Sequence, residues 1–196
     1  ENDLPNICEN TLTLRVEYTE FNKLDTLLDD LEADDCPNTT TFFGHFVPET
    51  YLSKDCEIKD GQMPEWYEWR IANWGTKWDA HIIHFEWTEL EDAWELEITF
   101  DTAWGPPDEL YRQFTIQGKT FHATWHEAGM GFVGETDDNG TSDWEYHSWS
   151  VDDVNKYIPE NLIERYALVD IVSYMAEEEN LNWQDSKDEK LKEAVA

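Results

Sequence analysis

The octapeptide Trp-Glu-Leu-Glu-Ile-Thr-Phe-Asp at residues 94–101 decides the fold class. Apolar and polar side chains alternate along it, which is the period-two pattern of a strand with one buried face and one solvated face. The polar set, Glu95, Glu97, Thr99 and Asp101, would make the solvated face strongly negative. The acidic turn at residues 89–92 separates this stretch from a second strand candidate at residues 80–88, so the sequence predicts two strands of an antiparallel sheet.

The segments on either side of these two strands mix strand and helix patterns. Residues 11–18 have period two and precede a helix whose apolar stripe is Phe21, Leu24, Leu27, Leu28 and Leu31. The run Pro106-Pro107-Asp108-Glu109 predicts a helix start, and residues 120–126 predict the strand that follows. Residues 41–47 predict a short aromatic strand, residues 142–149 a last strand, and residues 159–178 one long helix. The pattern is typical of an α+β fold.

Acidic residues dominate the composition. The 196 residues contain 45 Asp and Glu against 13 Lys and Arg, a formal net charge of −32. The net charge is −11 over residues 1–60, −8 over 61–120, −9 over 121–176 and −4 over 177–196, so the excess belongs to the whole chain and not to a tail. Such a surface repels nucleic acid and anionic membrane, and attracts basic partners that include nucleic-acid-binding proteins.

The average charge density of the protein surface can be compared with that of duplex DNA. Spread evenly over about 10⁴ Å² of surface, the net charge gives about one charge per 300 Å². Duplex DNA carries about one phosphate per 100 Å² of its cylinder. Mimicry of DNA therefore requires carboxylates gathered on one face.

Cysteine usage and hydropathy indicate the compartment. Cys8, Cys36 and Cys56 are odd in number and lack CxxC spacing, which disfavours a disulfide framework or a zinc ribbon. The chain has no run of eighteen apolar residues, and residues 1–6 lack a leader pattern. We expect a cytoplasmic protein that does not enter the membrane.

Four segments carry a resemblance to a known family. They are Pro5-Asn6-Ile7-Cys8-Glu9-Asn10-Thr11-Leu12, the tryptophan-rich run at residues 69–79, the run Phe100-Asp101-Thr102-Ala103-Trp104-Gly105-Pro106-Pro107, and the glycine-rich run at residues 127–134. In these the chain resembles the Api-type proteins of bacteriophages and plasmids, with Ile7 standing where Trp is expected. The resemblance implies a ferredoxin-like domain and a mobile-element origin, and it implies no catalytic residues.

The pattern and the resemblance together predict the architecture. We expect one α+β domain over residues 1–180, in which helices pack on one face of an antiparallel ferredoxin-like sheet. We expect the polar C-terminal tail at residues 181–196 either to fray or to extend the last helix as a solvated helix.

Several tryptophans suggest a candidate pocket. Trp69, Trp74, Lys77, Trp78 and Trp104 combine aromatic rings with one cation, as in sites that stack a ligand. The alternative interpretation is that Trp74 and Trp78 fill the core and Lys77 pairs with a local carboxylate, which is the commoner use of such residues.

The sequence gives little support for catalysis or metal binding. His122 and His126 would share a strand face, but the HExxH order is absent, and His81 and His84 would point to opposite faces of a strand. No GxSxG run or cysteine nucleophile signature occurs. We therefore expect no metal, no cofactor and no enzymatic activity.

The leading hypothesis is an acidic binding protein of a phage or mobile element. It would mimic DNA and occupy the basic groove of a host defence protein, such as a restriction or CRISPR effector, without binding nucleic acid itself. The candidate partner-binding residues are Glu89, Glu91, Asp92, Glu95, Glu97 and Asp101. The alternative is a small-molecule-binding or enzymatic domain that uses the tryptophan-lined pocket.

Overall fold

The computed structural model describes residues 6–32, 41–49 and 65–178, which form six strands and seven helices. The strands are β1 (Ile7–Val16), β2 (His81–Glu89), β3 (Trp94–Ala103), β4 (Phe121–Glu127), β5 (Phe132–Asp137) and β6 (Thr141–Glu145). The helices are α1 (Tyr18–Glu32), α2 (Phe42–Phe46), α3 (Glu65–Trp74), α4 (Asp108–Ile116), α5 (Val151–Tyr157), α6 (Glu160–Arg165) and α7 (168–178). The predicted α+β class is confirmed.

The strand order identifies the topology. The sheet runs β2-β3-β1-β4-β5-β6, and the register pairs β1 antiparallel with both β3 and β4. The elements β1-α1-β2-β3-α4-β4 therefore form two interlocked βαβ units, with β3 inserted between β1 and β2, as in ferredoxin-like folds. The predicted antiparallel ferredoxin-like sheet is confirmed, and β5 and β6 extend it beyond β4.

The core lies between one face of this sheet and helices α1, α2 and α4. Leu12 and Leu14 of β1 and Leu96, Ile98 and Phe100 of β3 are fully buried there, as the period-two pattern predicts. The helices contribute Leu24, Leu27 and Leu28, then Phe42, Phe43 and Phe46, then Leu110, Tyr111 and Phe114. Edge-to-face pairs such as Phe46–Phe114, with ring centroids 4.9 Å apart, join one helix to the next.

The predicted aromatic strand at residues 41–47 is wrong, because this segment forms helix α2. The Thr41 side chain accepts a hydrogen bond from the Gly44 amide at 3.0 Å, which is an N-cap. The Asp79 carboxylate accepts two more, from the Phe42 and Phe43 amides at 2.7 and 2.8 Å. Residues distant in the chain thus satisfy the first amides of the helix, and Phe42, Phe43 and Phe46 all reach the core.

Two further elements differ from the sequence predictions. The glycine-rich segment contains β5, whose Gly134 lies so close to the Trp125 ring that an added Cβ would be 2.5 Å from it. The last strand is β6, Thr141–Glu145, which ends four residues before the predicted end. The absence of a side chain at Gly134 allows β5 to pass close to the Trp125 ring. This tertiary constraint cannot be inferred from the alternation of apolar and polar residues.

The chain divides into two compact units, Glu1–Asp143 and Trp144–Ala196. In the second unit, Ser150 and Asp153 form a reciprocal capping box at the start of α5. The single long helix predicted over residues 159–178 is wrong, because α6 ends at Arg165 and Ala167 has a left-handed φ of 50° before α7. A single domain over residues 1–180 stays a prediction, and the tail at 181–196 lies outside the described residues.

Candidate functional site

The sheet face opposite the core is polar at every position but one on five neighbouring strands, and we call it the open face. The register assigns to it His81, His84, Glu86 and Thr88 of β2, Glu95, Glu97, Thr99 and Asp101 of β3, Glu9, Thr11, Thr13 and Arg15 of β1, His122, Thr124 and His126 of β4, and Val133, Glu135 and Asp137 of β5. Seven of these positions are acidic and one is arginine. The open face thus concentrates negative charge.

A β-bulge shapes the edge of the open face. The register of β2 against β3 shifts between Ile82 and His84, so His81 pairs with Asp101 and His84 pairs with Thr99. Both histidines therefore share the open face, and the prediction that they point to opposite faces is wrong. The extra residue, Ile83, is 53% exposed.

The accessible part of the open face is mainly its β2–β3 half. Glu86 and Glu97 are exposed, and Glu95 and Asp101 are half-buried, whereas Thr11, Thr124 and His126 in the centre are buried. Only every second residue of a strand is on this face, so each face position spans ~6.6 Å along the strand and ~4.8 Å across it, or about 32 Å². The eight positions on β2 and β3 contain four carboxylates and no lysine or arginine, or about one charge per 65 Å². This density exceeds the ~100 Å² per phosphate of duplex DNA.

The six predicted partner-binding residues lie together on the β2–β3 hairpin. Glu95, Glu97 and Asp101 are on the open face, and Glu89, Glu91 and Asp92 are exposed where the hairpin turns. One of these charges is compensated, because the Arg15 guanidinium forms an ion pair with Asp92. Sequence reasoning missed Glu86, since only the register reveals that it stands directly opposite Glu97.

Histidines accompany the carboxylates on this face. His81 Nδ1 lies 3.9 Å from Asp101, and His122 Nε2 lies 3.3 Å from Glu135. Partial burial raises the pKa of the Asp101 carboxyl, while the nearby His81 opposes this effect. His126 is buried, and the loss of hydration lowers the pKa of its imidazole to about 4, so it is neutral at pH 7. Among the described residues, no three His, Cys, Asp or Glu side chains are grouped so that they could hold a metal ion.

The tryptophans of the candidate pocket occupy different environments. Trp74 is fully buried, and its indole lies 5.8 Å from that of Trp69 in an edge-to-face contact. Trp78 and Trp104 are each 46% exposed, so the interpretation of Trp78 as a core residue is wrong. Lys77 Nζ stacks on the Trp78 ring at 4.0 Å, a cation–π contact. The structure thus brings together Trp69 with Trp74 and Lys77 with Trp78, and a ligand pocket made by all five residues stays a prediction.

Arg70 of α3, which sequence reasoning did not single out, organises the neighbourhood of Trp74. Its Nε forms a half-buried ion pair with Glu49, and its guanidinium lies 4.8 Å from the Trp74 ring centroid and 5.2 Å from that of Trp66. The planar guanidinium is suited to pair and stack at once. The Arg70 guanidinium is engaged in contacts within the protein, which indicates a structural role.

A groove of about 720 Å³ lies on the core side of the sheet, where α4 stops covering β4 and β5, and we call it the α4 groove. Its walls are α4 and the turn between β5 and β6. The charged lining residues are Asp108, Glu109, Arg112, Asp137, Asp138 and Asp143. The pKa of Asp108 is raised to about 6, first by loss of hydration and then by the neighbouring Asp143 and Glu109. The Asp108 side chain is nevertheless exposed to solvent.

The described part of the chain includes no helix long and apolar enough to cross a membrane. Comparison with protein-family models, with curated proteins and with solved structures finds no match to this chain.

Proposed function

We propose that the protein binds a basic, nucleic-acid-binding protein through the β2–β3 half of the open face and the adjoining hairpin turn. In this proposal it is the product of a phage or mobile element, it acts in the host cytoplasm, and it occupies the DNA groove of a defence protein such as a restriction or CRISPR effector. The protein supplies a binding surface and no chemistry.

The observation that supports this proposal best is the charge density of the β2–β3 half. Four carboxylates on eight neighbouring positions exceed the density of phosphates on duplex DNA, whereas the evenly spread charge of the chain falls below it. A groove that evolved to bind phosphates would meet a comparable array of anions on a rigid sheet. Preorganised charges of this kind raise the rate and the specificity of association.

The residue types on the open face argue against direct binding of nucleic acid. Ferredoxin-like domains that bind RNA on their sheet stack bases on aromatic residues of the central strands. Here the central strands present Glu9, Thr11, Thr13 and Arg15 on β1 and Glu95, Glu97, Thr99 and Asp101 on β3. These positions contain no aromatic ring, and their carboxylates repel phosphates.

Salt dependence combined with charge reversal tests the proposal. Tagged protein is used to capture partners from bacterial lysate at about 0.1 M and about 1 M salt, where the Debye length falls from about 10 Å to about 3 Å. We expect a retained nucleic-acid-binding protein that is lost at high salt and lost with Glu86→Lys/Glu97→Lys. The reversed pair still places two like charges opposite each other, so a loss of binding cannot come from a new ion pair between these two positions. Retention that is equal for the variant and independent of salt would contradict the proposal.

A further inference from the structure

The α4 groove contains two carboxylates that pair with no cationic side chain of the described residues. Among the described residues, the side chains of Asp108 and Asp143 take part in no hydrogen bond or ion pair. The other four charges are engaged. Glu109 pairs with Arg112 at 2.6 Å, Asp137 accepts hydrogen bonds from the Asn139 and Gly140 amides, and Asp138 accepts one from the Asn139 side chain at 3.1 Å. Asp108 and Asp143 therefore supply free anionic acceptors inside a concave site.

Apolar surface lines the same groove as these two carboxylates. Ile116, at the end of α4, is 64% exposed in the wall of the groove, and Phe132 of β5 is half-buried in its lining. Trp125 and Tyr111, both nearly fully buried, form the floor with their rings stacked 6.2 Å apart. An exposed isoleucine at the far end of α4 from Asp108, and an accessible phenylalanine in the same groove, favour a ligand that is cationic at one end and aliphatic along its length.

We infer that the α4 groove binds an elongated organic cation, with its ammonium or guanidinium group at Asp108 and Asp143 and its aliphatic part against Ile116 and Phe132. The groove volume of about 720 Å³ lies within the range of ordinary small-molecule sites. Charge-assisted hydrogen bonds to carboxylates supply affinity, and the apolar wall selects against compact inorganic cations. This site is separate from the open face and does not depend on the function proposed for that face.

The cation has two chemical sources, a free polyamine or a lysine or arginine side chain of another protein. Spermidine and a short arginine-containing peptide serve as the probes. Each is titrated into the full chain labelled with ¹⁵N, and the Trp125 indole N–H and the Asn139 and Gly140 amides are followed by NMR in excess Mg²⁺. Saturable shifts with spermidine identify a polyamine site, and saturable shifts with the peptide alone identify a side-chain site.

The variant Asp108→Asn/Asp143→Asn distinguishes binding in the α4 groove from the nonspecific attraction of a cation to a protein of net charge −32. Asp29→Asn/Asp30→Asn on the exposed side of α1 removes the same charge away from the groove. We expect at least about tenfold weaker binding for the first variant and less than about twofold for the second. Ile116→Gln keeps all charges and the exposed position, and we expect it to weaken binding about threefold.

Binding that both charge variants weaken equally, or that Mg²⁺ abolishes, would overturn the inference. Absence of saturable shifts at the groove for both probes would overturn it as well. Because Ile116→Gln changes only an exposed side chain, it tests the groove even if the double aspartate variant folds poorly.

Discussion

Glu86 of β2 and Glu97 of β3 stand directly opposite each other on the open face. Like charges in this position destabilise a sheet, since the two carboxylates face each other across one strand spacing. Both side chains are exposed, so solvent moderates the repulsion without removing it. A fold under selection for stability alone would place an opposite charge or a threonine here, and we interpret the pair as part of the proposed binding surface.

Neutralising this pair should stabilise the protein. We expect Glu86→Gln and Glu97→Gln each to raise the free energy of unfolding by about 0.2–1 kcal/mol. The double variant should gain little beyond either single variant, because removing one charge already removes the repulsion. Urea denaturation of the four proteins in a double-mutant cycle measures the coupling. Fully additive effects would contradict a direct interaction between the two carboxylates.

A buried polar network should contribute strongly to the stability of the β1–β3 pair. Asn10 is fully buried, and its Nδ2 donates to the Cys8 carbonyl and to Thr102 Oγ1, both at 2.8 Å. Thr102 Oγ1 in turn donates to the Gly105 carbonyl at 2.7 Å, which fixes the turn into α4. We expect Asn10→Ala to lower the free energy of unfolding by about 2–3 kcal/mol, because it removes buried hydrogen bonds and leaves a cavity.

The exposed Asn22 of α1 provides the matched control for Asn10. Asn22→Ala should be neutral or slightly stabilising, since alanine is the better helix former. Chemical denaturation compares the two variants. An equal effect of both substitutions would mean that the Asn10 network contributes nothing specific.

Gly75 is the position at which a side chain should be least tolerated. It follows the last residue of α3 with φ +87°, and an added Cβ would be 2.7 Å from the Asp108 amide nitrogen of α4. Gly75→Ala should cost about 2 kcal/mol or more, from backbone strain and from displacement of the α4 start. Gly105 has no heavy atom within 4 Å of an added Cβ, so Gly105→Ala should change the melting temperature very little. Equal melting temperatures for the two variants would contradict this account.

The fold could be predicted from the sequence to the extent that its patterns are local. The alternation at residues 94–101 identified β3 and its buried face, because every second side chain of that strand enters the core. The strand prediction for residues 41–47 is wrong because Phe42, Phe43 and Phe46 are all buried and give no clear period. Their helix depends on Asp79, 36 residues beyond Phe43, whose contribution no local pattern reveals.

The candidate site was only partly predictable for a similar reason. Glu95, Glu97 and Asp101 follow from the alternation of one strand, whereas Glu86 joins them only through the register of β2 on β3. The bulge at Ile83 moves His84 to the same face as His81. No glycine or other turn-forming residue in β2 indicates this bulge in the sequence. Register and bulges arise from pairing between strands, which a single sequence does not specify.

Asp79 should make the stability depend on pH. Loss of hydration raises the pKa of its carboxyl from 3.8 to about 6, even though three backbone amides donate to it and Arg70 lies near. The folded state therefore binds more protons than the unfolded state between these values, and the free energy of unfolding falls as the pH rises from about 4 to about 6. Asp79→Asn removes this contribution. We expect the advantage of the wild type over the variant to decrease by up to about 3 kcal/mol across this window.

Urea denaturation of the wild type and Asp79→Asn at several pH values between 4 and 7 measures this difference directly. A difference that increases with pH would mean that the amides of Phe42 and Phe43 lower the pKa of the carboxyl below its ordinary value.

Competition with duplex DNA tests whether the open face binds in the DNA groove of another protein. The protein is immobilised, bacterial lysate is passed over it at low salt, and the retained proteins are eluted with short duplex DNA and identified by mass spectrometry. The variant Glu86→Lys/Glu97→Lys is immobilised and treated in the same way as a control. We expect DNA to release a nucleic-acid-binding protein from the wild type, and we expect the variant to retain much less of that protein. Retained proteins that DNA cannot displace, and that bind the variant equally well, would contradict the account.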